Sequence, residues 1–277
     1  MDEHPRRIRH PEGFAPGVTP ITRIGAARDD TGMDFDMVVM RPGEVIEETC
    51  ALETAWLLLS GEAALAWTAS GLPGSAATVR RDSIFDEDPI ALYLPVGTHA
   101  RVEARSDVEW ARFRTANDAA FPATLFTHDN LLESADRDKG LWGDAAWRIV
   151  RTIFDTRIRP TARLVLGEVI NFPGRWSSYP PHHHPHPEIY HYRFTAPQGY
   201  GHGELGDEVL KVRAHDTVLI LDGDDHSQVA APGYGMYYIW AIRHLDGNPY
   251  VAPEFTAEHR WMKVPGATMP RIGRRNG

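Results

Sequence analysis

The sequence predicts an all-β chain folded as two related barrels with few short helices. Three observations carry this. Short β-type runs bounded by Gly, Pro and Asp recur along the chain, helix-period patterns are nearly absent, and stretches of the first half have counterparts in the second. At 277 residues the chain has room for one large domain or two small ones.

The runs include "TAWLLLSG", "IALYLPVG", "HARVEA", "ARLVLGEVINF", "EIYHYRF", "DTVLILDG" and "GMYYIWAI". Their length and punctuation are those of sandwich or barrel strands. One stretch, "ESADRDKGLWGDAAWRIV", carries a helical pattern, and a short helix is expected near 130–138.

The internal match is ordered. "LYLPVGTHARVEA" (92–104) aligns without a gap on "LILDGDDHSQVAA" (219–231), which puts His99 on His226. Upstream, "ETAWLLLSGEA" occupies the place of "EIYHYRFTAPQG", which puts Glu53 on Glu188. The first half is eight residues longer between these points, as a longer loop around "SGLPGSAATVRR" would make it. The expected division is an N-terminal barrel over 1–125 and a C-terminal barrel over 126–277.

Composition narrows the function. Hydrophobic residues at 42% and charged residues at 24% are ordinary for a globular protein. No apolar run reaches the length of a membrane span and the N-terminus is polar, so a cytoplasmic protein without a membrane partner is expected. Cys50, the single cysteine, excludes an internal disulfide and a thiolate-rich zinc site. The net charge of −9 argues against nucleic acid as a partner but leaves room for a small anion held by a local cation.

The chemistry concentrates in "SSYPPHHHPHPEIYHYRF" (177–194). On an extended strand, His182, His184, His186, Glu188, Tyr190 and Tyr192 share one face. Imidazoles and a carboxylate lining a barrel are costly to bury unless something satisfies them, and a divalent metal does so. His182, His184 and Glu188 are the expected ligands, joined by His226 where "LDGDDHSQV" turns back into the barrel. Such a set of nitrogen and oxygen donors suits a borderline ion and leaves positions open, as in catalytic sites. Asp225 is placed to orient His226. In the first half, Glu53 and His99 stand without an H-x-H pair and are expected to hold no metal, so the count is one divalent metal per chain.

His182, His184, Glu188 and the later Gly223–His226 carry the pattern of the cupin superfamily, H-x-H-x(3,4)-E followed by G-x(2)-H. The chain further resembles the 5-deoxy-glucuronate isomerase family, a bicupin group related to 4-deoxy-threo-hexulosuronate ketol-isomerases. "GRWSSYPPHHH", "EIYHYRFTAPQGY" and "APGYGMYYIWA" carry the likeness, with "LLLSGEAAL", "RRDSIFDEDPIALYLPVGT" and "GLWGDAAWRIVR" in the first half and at the junction. It spans roughly residues 35 to 265, and the W-S-S-Y-P-P-H-x-H stretch is its most specific part. The chain departs from the family in replacing an acidic insertion before the glutamate with "PHP", in a shortened "GHGELGDEVLKV", and in a histidine after Tyr190 where tyrosine is usual.

The resemblance implies two tandem double-stranded β-helix barrels and an aldose–ketose isomerisation of a deoxy-uronate in inositol catabolism. Zn or Mn is expected ahead of Fe or Ni. The chemistry needs a base, for which His186 and a hydroxide on the metal are candidates, and donors to developing charge, for which Tyr190 and Tyr237 are candidates. A cation must meet the substrate carboxylate: Arg163 and Lys211 rank first, with Arg243 behind. Gln228 is expected to face the cavity, and Tyr179 with Trp176 to form a lid or wall. Two other readings stay open, an iron-dependent cupin dioxygenase and a sugar-acid binder without turnover. A homo-oligomer is possible, since strands exposed in bicupins often pair between subunits.

Overall fold

The computed structural model describes residues 4–26, 30–69, 71–270 and 273. Its regular structure is strand apart from two 3₁₀ turns, Trp142–Asp144 and Arg260–Lys263. Each half closes two sheets around its own apolar interior. The C-terminal half pairs a seven-stranded sheet, which contains Leu164–Asn171, Glu188–Phe194, Thr217–Ile220 and Met236–Arg243, with a five-stranded one. The smaller sheet runs Glu208–Arg213, Tyr200–Leu205, His226–Ala230, Trp176–His183, Glu254–Phe255.

Three cores follow from strand alternation. Trp56, Leu58, Leu92, Val102 and Trp110 fill the N-terminal barrel. Tyr190, Tyr192, Val218, Ile220 and Tyr238 line the C-terminal one. The third core lies between the barrels, where Phe35, Leu57, Tyr93 and Phe113 meet Leu164, Ile189, Leu219 and Ile239. The large sheets are therefore buried on both faces, so their strands read as nearly continuous apolar runs. A buried ion pair crosses this seam: Arg81 donates to Glu168 at 2.6 and 2.8 Å, and the Tyr237 hydroxyl donates to the same carboxylate at 2.6 Å. The backbone crosses as well, since Arg7–Ile8, from the N-terminal end, pairs with Thr217–Ile220 in the C-terminal sheet.

Two expectations change. Residues 133–137 form a strand against Arg148–Phe154, not a helix; sheet pairing overrides a weak local preference. The gapless internal alignment is out of register by one residue. Leu92 and Leu94 point into their barrel, but the aligned Leu219 and Leu221 face the seam. Likewise Ala100, not His99, occupies the inward place that His226 takes; His99 is half exposed, with Nε2 3.0 Å from Glu47. A one-residue slip moves every side chain to the opposite face. Glu53 accordingly faces the seam, accepting from Tyr93, Asn117 and the backbone N–H groups of Arg163 and Leu164 at 2.6–3.1 Å. Burial pushes its carboxyl up, and these donors act against that rise.

Candidate metal centre and the cavity beside it

Trp176–His183 and His226–Ala230 pair antiparallel, with His182 directly opposite His226. Between the Ser177–Gln228 pair and this one, the first strand carries extra residues and bulges. The bulge turns the Ser178 carbonyl toward the following imidazole. His184 follows the strand end, and Glu188 opens the next strand, against Ile220 and Ile242. One ligand atom each from His182, His184 and His226 falls within a span of 4.8 Å, and all three residues are buried. Glu188 Oε2 lies 3.1 Å from His184 Nε2 and 3.3 Å from His226 Nε2.

The backbone sets the tautomers. His182 Nδ1 donates to the Ser178 carbonyl at 3.0 Å, His184 Nδ1 to the His186 carbonyl at 3.0 Å, and His226 Nδ1 to the Asp224 carbonyl at 2.9 Å. A carbonyl only accepts, so each Nδ1 carries a hydrogen, and a ring in its neutral form then presents a bare Nε2. His226 Nε2 is buried without a hydrogen-bond partner. Burial holds the His182 imidazole down at about 3, so it is neutral at ordinary pH. Burial alone would raise the Glu188 carboxyl, but His184 and His226 beside it outweigh that and hold it at about 2. With the rings in their neutral form, the centre gathers lone pairs around one point. That donor set fits a divalent cation, with the carbonyls behind the rings fixing their orientation.

A cavity of about 130 Å³ opens beside His182 and Glu188, walled by Arg148, Ser178, Tyr190, Tyr238, Trp240 and Tyr250 with smaller apolar residues. Burial drives the Tyr190 phenol well above its ordinary value and raises that of Tyr238, so both stay protonated. Tyr238 is held by Ser177 at 2.8 Å.

The other expected site residues are placed as follows. His186 sits in the turn between strands, outside the cavity wall; its Nε2 donates to the Asn248 carbonyl at 2.8 Å, and its own carbonyl orients His184. Tyr237 points to the seam, because its neighbour Tyr238 takes the inward place. Gln228 is inside the barrel but is engaged by the Tyr192 hydroxyl at 2.5 Å and does not line this cavity. Arg163 is partly exposed and pairs with Asp246 at 3.0 Å. Lys211 lies on the outside of an edge strand, over the Tyr200 ring at 4.1 Å. Arg243 lies at the seam, donating to Thr115 at 3.2 Å. Tyr179 and Trp176 line a separate surface depression with Glu204, Asp225 and Glu258. Asp225 holds His183, not His226, at 2.7 Å. His191, the histidine that follows Tyr190, is buried at the seam beside Phe35, away from the cavity. Arg148, Tyr238, Trp240 and Tyr250 line the cavity without having been singled out.

A double-stranded β-helix that brings histidines from adjoining strands against a glutamate defines a cupin, here doubled in one chain. The chain belongs to the KduI/IolB family, whose model matches residues 8–262. It is an enzyme of the isomerase class. Among curated relatives, a 5-deoxy-glucuronate isomerase of Geobacillus kaustophilus (strain HTA426) is 28% identical over 228 residues, 74% of this chain and 77% of that protein. An IolB-like protein of Salmonella typhimurium LT2 superposes with a TM-score of 0.76 at 22% identity, over 90% of this chain and 100% of that one. The oxalate decarboxylase of Lactobacillus farciminis, solved as a formate complex, superposes at 0.69 with 11% identity, over 96% and 92% of the two chains. At such identities the two structures speak for the fold. Among the described residues no helix is long and apolar enough to cross a membrane.

Proposed function

We propose that this chain is a metal-dependent aldose–ketose isomerase acting on a deoxy-uronate, converting 5-deoxy-glucuronate to 5-dehydro-2-deoxy-gluconate in inositol catabolism. The observation that carries the reading is the gathering of the His182, His184 and His226 imidazoles around Glu188, beside a cavity with phenol donors. The name borne by the Geobacillus kaustophilus relative supports the choice of substrate.

His182, His184, Glu188 and His226 would hold the cation, with zinc or manganese favoured by the donor set. When bound it supplies Lewis-acid stabilisation of charge on the substrate oxygens, worth several kcal/mol in such reactions. The remaining work falls to the chain. Isomerisation moves the hydrogen of the carbon beside the aldehyde to the former aldehyde carbon, as a proton carried by a base, and the proton of that carbon's hydroxyl to the former aldehyde oxygen, with charge building on oxygen in between. Tyr190, protonated and at the cavity wall, donates a hydrogen bond to that oxygen. Tyr238, tethered to Ser177 and with its ring centroid 4.9 Å from that of Tyr190, shapes the wall beside it. Trp240 and Tyr250 exclude water from the reacting carbons. His186 positions His184 through its carbonyl and is assigned no proton transfer.

The test is metal analysis of the purified protein followed by an NMR assay with 5-deoxy-glucuronate and related uronates. Appearance of the ketose with a stoichiometric divalent metal is expected. Oxygen uptake with iron alone, or saturable binding without turnover under every metal, would overturn the reading.

A further inference from the structure

We infer that Arg148 is the residue that receives the carboxylate of the substrate, and that Asp138 holds it in place. The inference rests on the proposed sugar-acid chemistry and names the group that selects acids over neutral sugars.

Arg148 is the one cationic side chain lining the cavity beside His182 and Glu188, among the described residues. It opens the strand Arg148–Phe154 and has a side-chain exposure of 13%, so its charge sits in a largely dry setting where a counter-charge is strongly felt. Its Nη1 is fully used, donating to Asp138 Oδ2 at 2.7 Å and to the Ala146 carbonyl at 2.8 Å. Those two anchors lie on one nitrogen, which fixes the guanidinium plane and leaves the rest of the fork for a ligand. A planar fork matches a carboxylate in a way an ammonium does not.

Asp138 does not neutralise the site. Its other oxygen, Oδ1, accepts from Lys263 at 3.0 Å, so one carboxylate is shared by two cations and an excess positive charge remains. Lys263 is itself held over the Trp142 and Phe255 rings, at 5.0 and 5.4 Å, and Phe255 packs against His182. The cation pair is thereby tied to the same wall as the imidazoles. Within the cavity the opposite charge, Glu188, lies on the His184 side, so an acid sugar entering with its carboxylate toward Arg148 turns its other end toward the histidines. Orientation and selection for acids come from the same contact.

The experiment compares D-gluconate with D-glucitol, which differ only at the carboxylate, as ligands of the metal-loaded full chain in titration calorimetry. Wild type is expected to bind gluconate more tightly. Arg148→Gln is expected to weaken gluconate by about 10- to 100-fold, the range for a lost charged hydrogen-bonded contact, and to leave glucitol unchanged. Arg148→Lys keeps the charge and guards against a folding defect; it is expected to recover only part of the loss. Asp138→Asn is expected to weaken gluconate less than Arg148→Gln does. Wild type without preference for the acid, or an Arg148→Gln variant that keeps the preference or loses both ligands equally, would overturn the assignment. Failure of the isomerase reading shows separately, as absent turnover of uronates by wild type that still prefers gluconate.

Discussion

Glu188 Oε2 lies 3.3 Å from His226 Nε2, and a neutral ring brings no hydrogen to the contact, because its one hydrogen is committed to the Asp224 carbonyl. Two acceptors so close repel unless a cation stands among them. On the proposed reading the arrangement ties folding to metal. Stripping the protein with a chelator is expected to lower its melting temperature by roughly 5–10 °C, the scale set by a ligand at about 100 times its dissociation constant. Glu188→Gln keeps the size but loses the charge, and should weaken metal binding by about 100-fold or more. His226→Ala should abolish stoichiometric metal. Elemental analysis of the three proteins checks both, and full occupancy in either variant would remove the centre as drawn.

Tyr190 separates transition-state stabilisation from simple binding. Its phenol lines the cavity and burial keeps it protonated, so it acts as a donor and not as a base at neutral pH. Tyr190→Phe is expected to lower kcat by about 100-fold with little change in KM, the pattern for a hydrogen bond realised mainly on the developing oxyanion. Metal content should stay at the wild-type level. A rise in KM at constant kcat would move Tyr190 from the reacting centre to substrate holding.

Gly167 makes room for a cavity wall. A Cβ built there falls 2.5 Å from Trp240 Cε2, and the indole lines the cavity. The backbone at Gly167 has no positive φ, so the cost of a side chain is purely spatial. Gly167→Ala should cost about 1–3 kcal/mol in denaturant unfolding and depress kcat/KM by pushing the ring into the substrate space. Adding Trp240→Leu should restore part of the stability, a coupling that a double-mutant cycle measures directly. Additive losses would show that the two residues do not contend for one space.

Much of the centre was legible because strand alternation and ligand chemistry agree locally. His182, His184 and Glu188 lie within seven residues, and His226 follows a Gly–Asp turn. The readings that failed did so where alternation carries no signal. In "MYYIWAI" both faces of the strand are buried, one in the barrel and one at the seam, so apolarity does not tell Tyr237 from Tyr238. The same two-sided burial hid the one-residue slip between the halves, since Leu92 and Leu219 are equally apolar. Arg148 and Tyr250 reach the cavity from segments distant in sequence from the histidines, and nothing local marks which arginine of "WRIVR" turns inward. Arg151, three residues on, goes to the seam, donating to the Ile84 carbonyl at 2.9 Å.

Acid should loosen the fold through buried histidines that are not among the proposed metal ligands. Burial lowers His191 well below its usual 6.5, and the guanidinium of Arg193 adds to the effect. Burial also lowers His215, with Arg193 assisting, and His244, with His186 assisting, each to about 4. His244 is 1% exposed and its Nδ1 accepts the backbone N–H of Tyr250 at 2.9 Å, so protonation would break a bond that holds the cavity wall. The sign follows from proton counting. Between pH 6.5 and about 4 the unfolded chain takes up protons on these rings and the native chain does not, so the stability present above 6.5 is lost as pH falls through that window. Each fully buried ring contributes a slope of up to about 1.4 kcal/mol per pH unit, and the partly exposed His215 less. Melting temperatures measured from pH 7.5 to 5 should therefore fall, and His244→Gln, whose amide oxygen can accept the Tyr250 N–H without titrating, should fall less steeply. Parallel curves for the two proteins would show that His244 does not enter the acid transition.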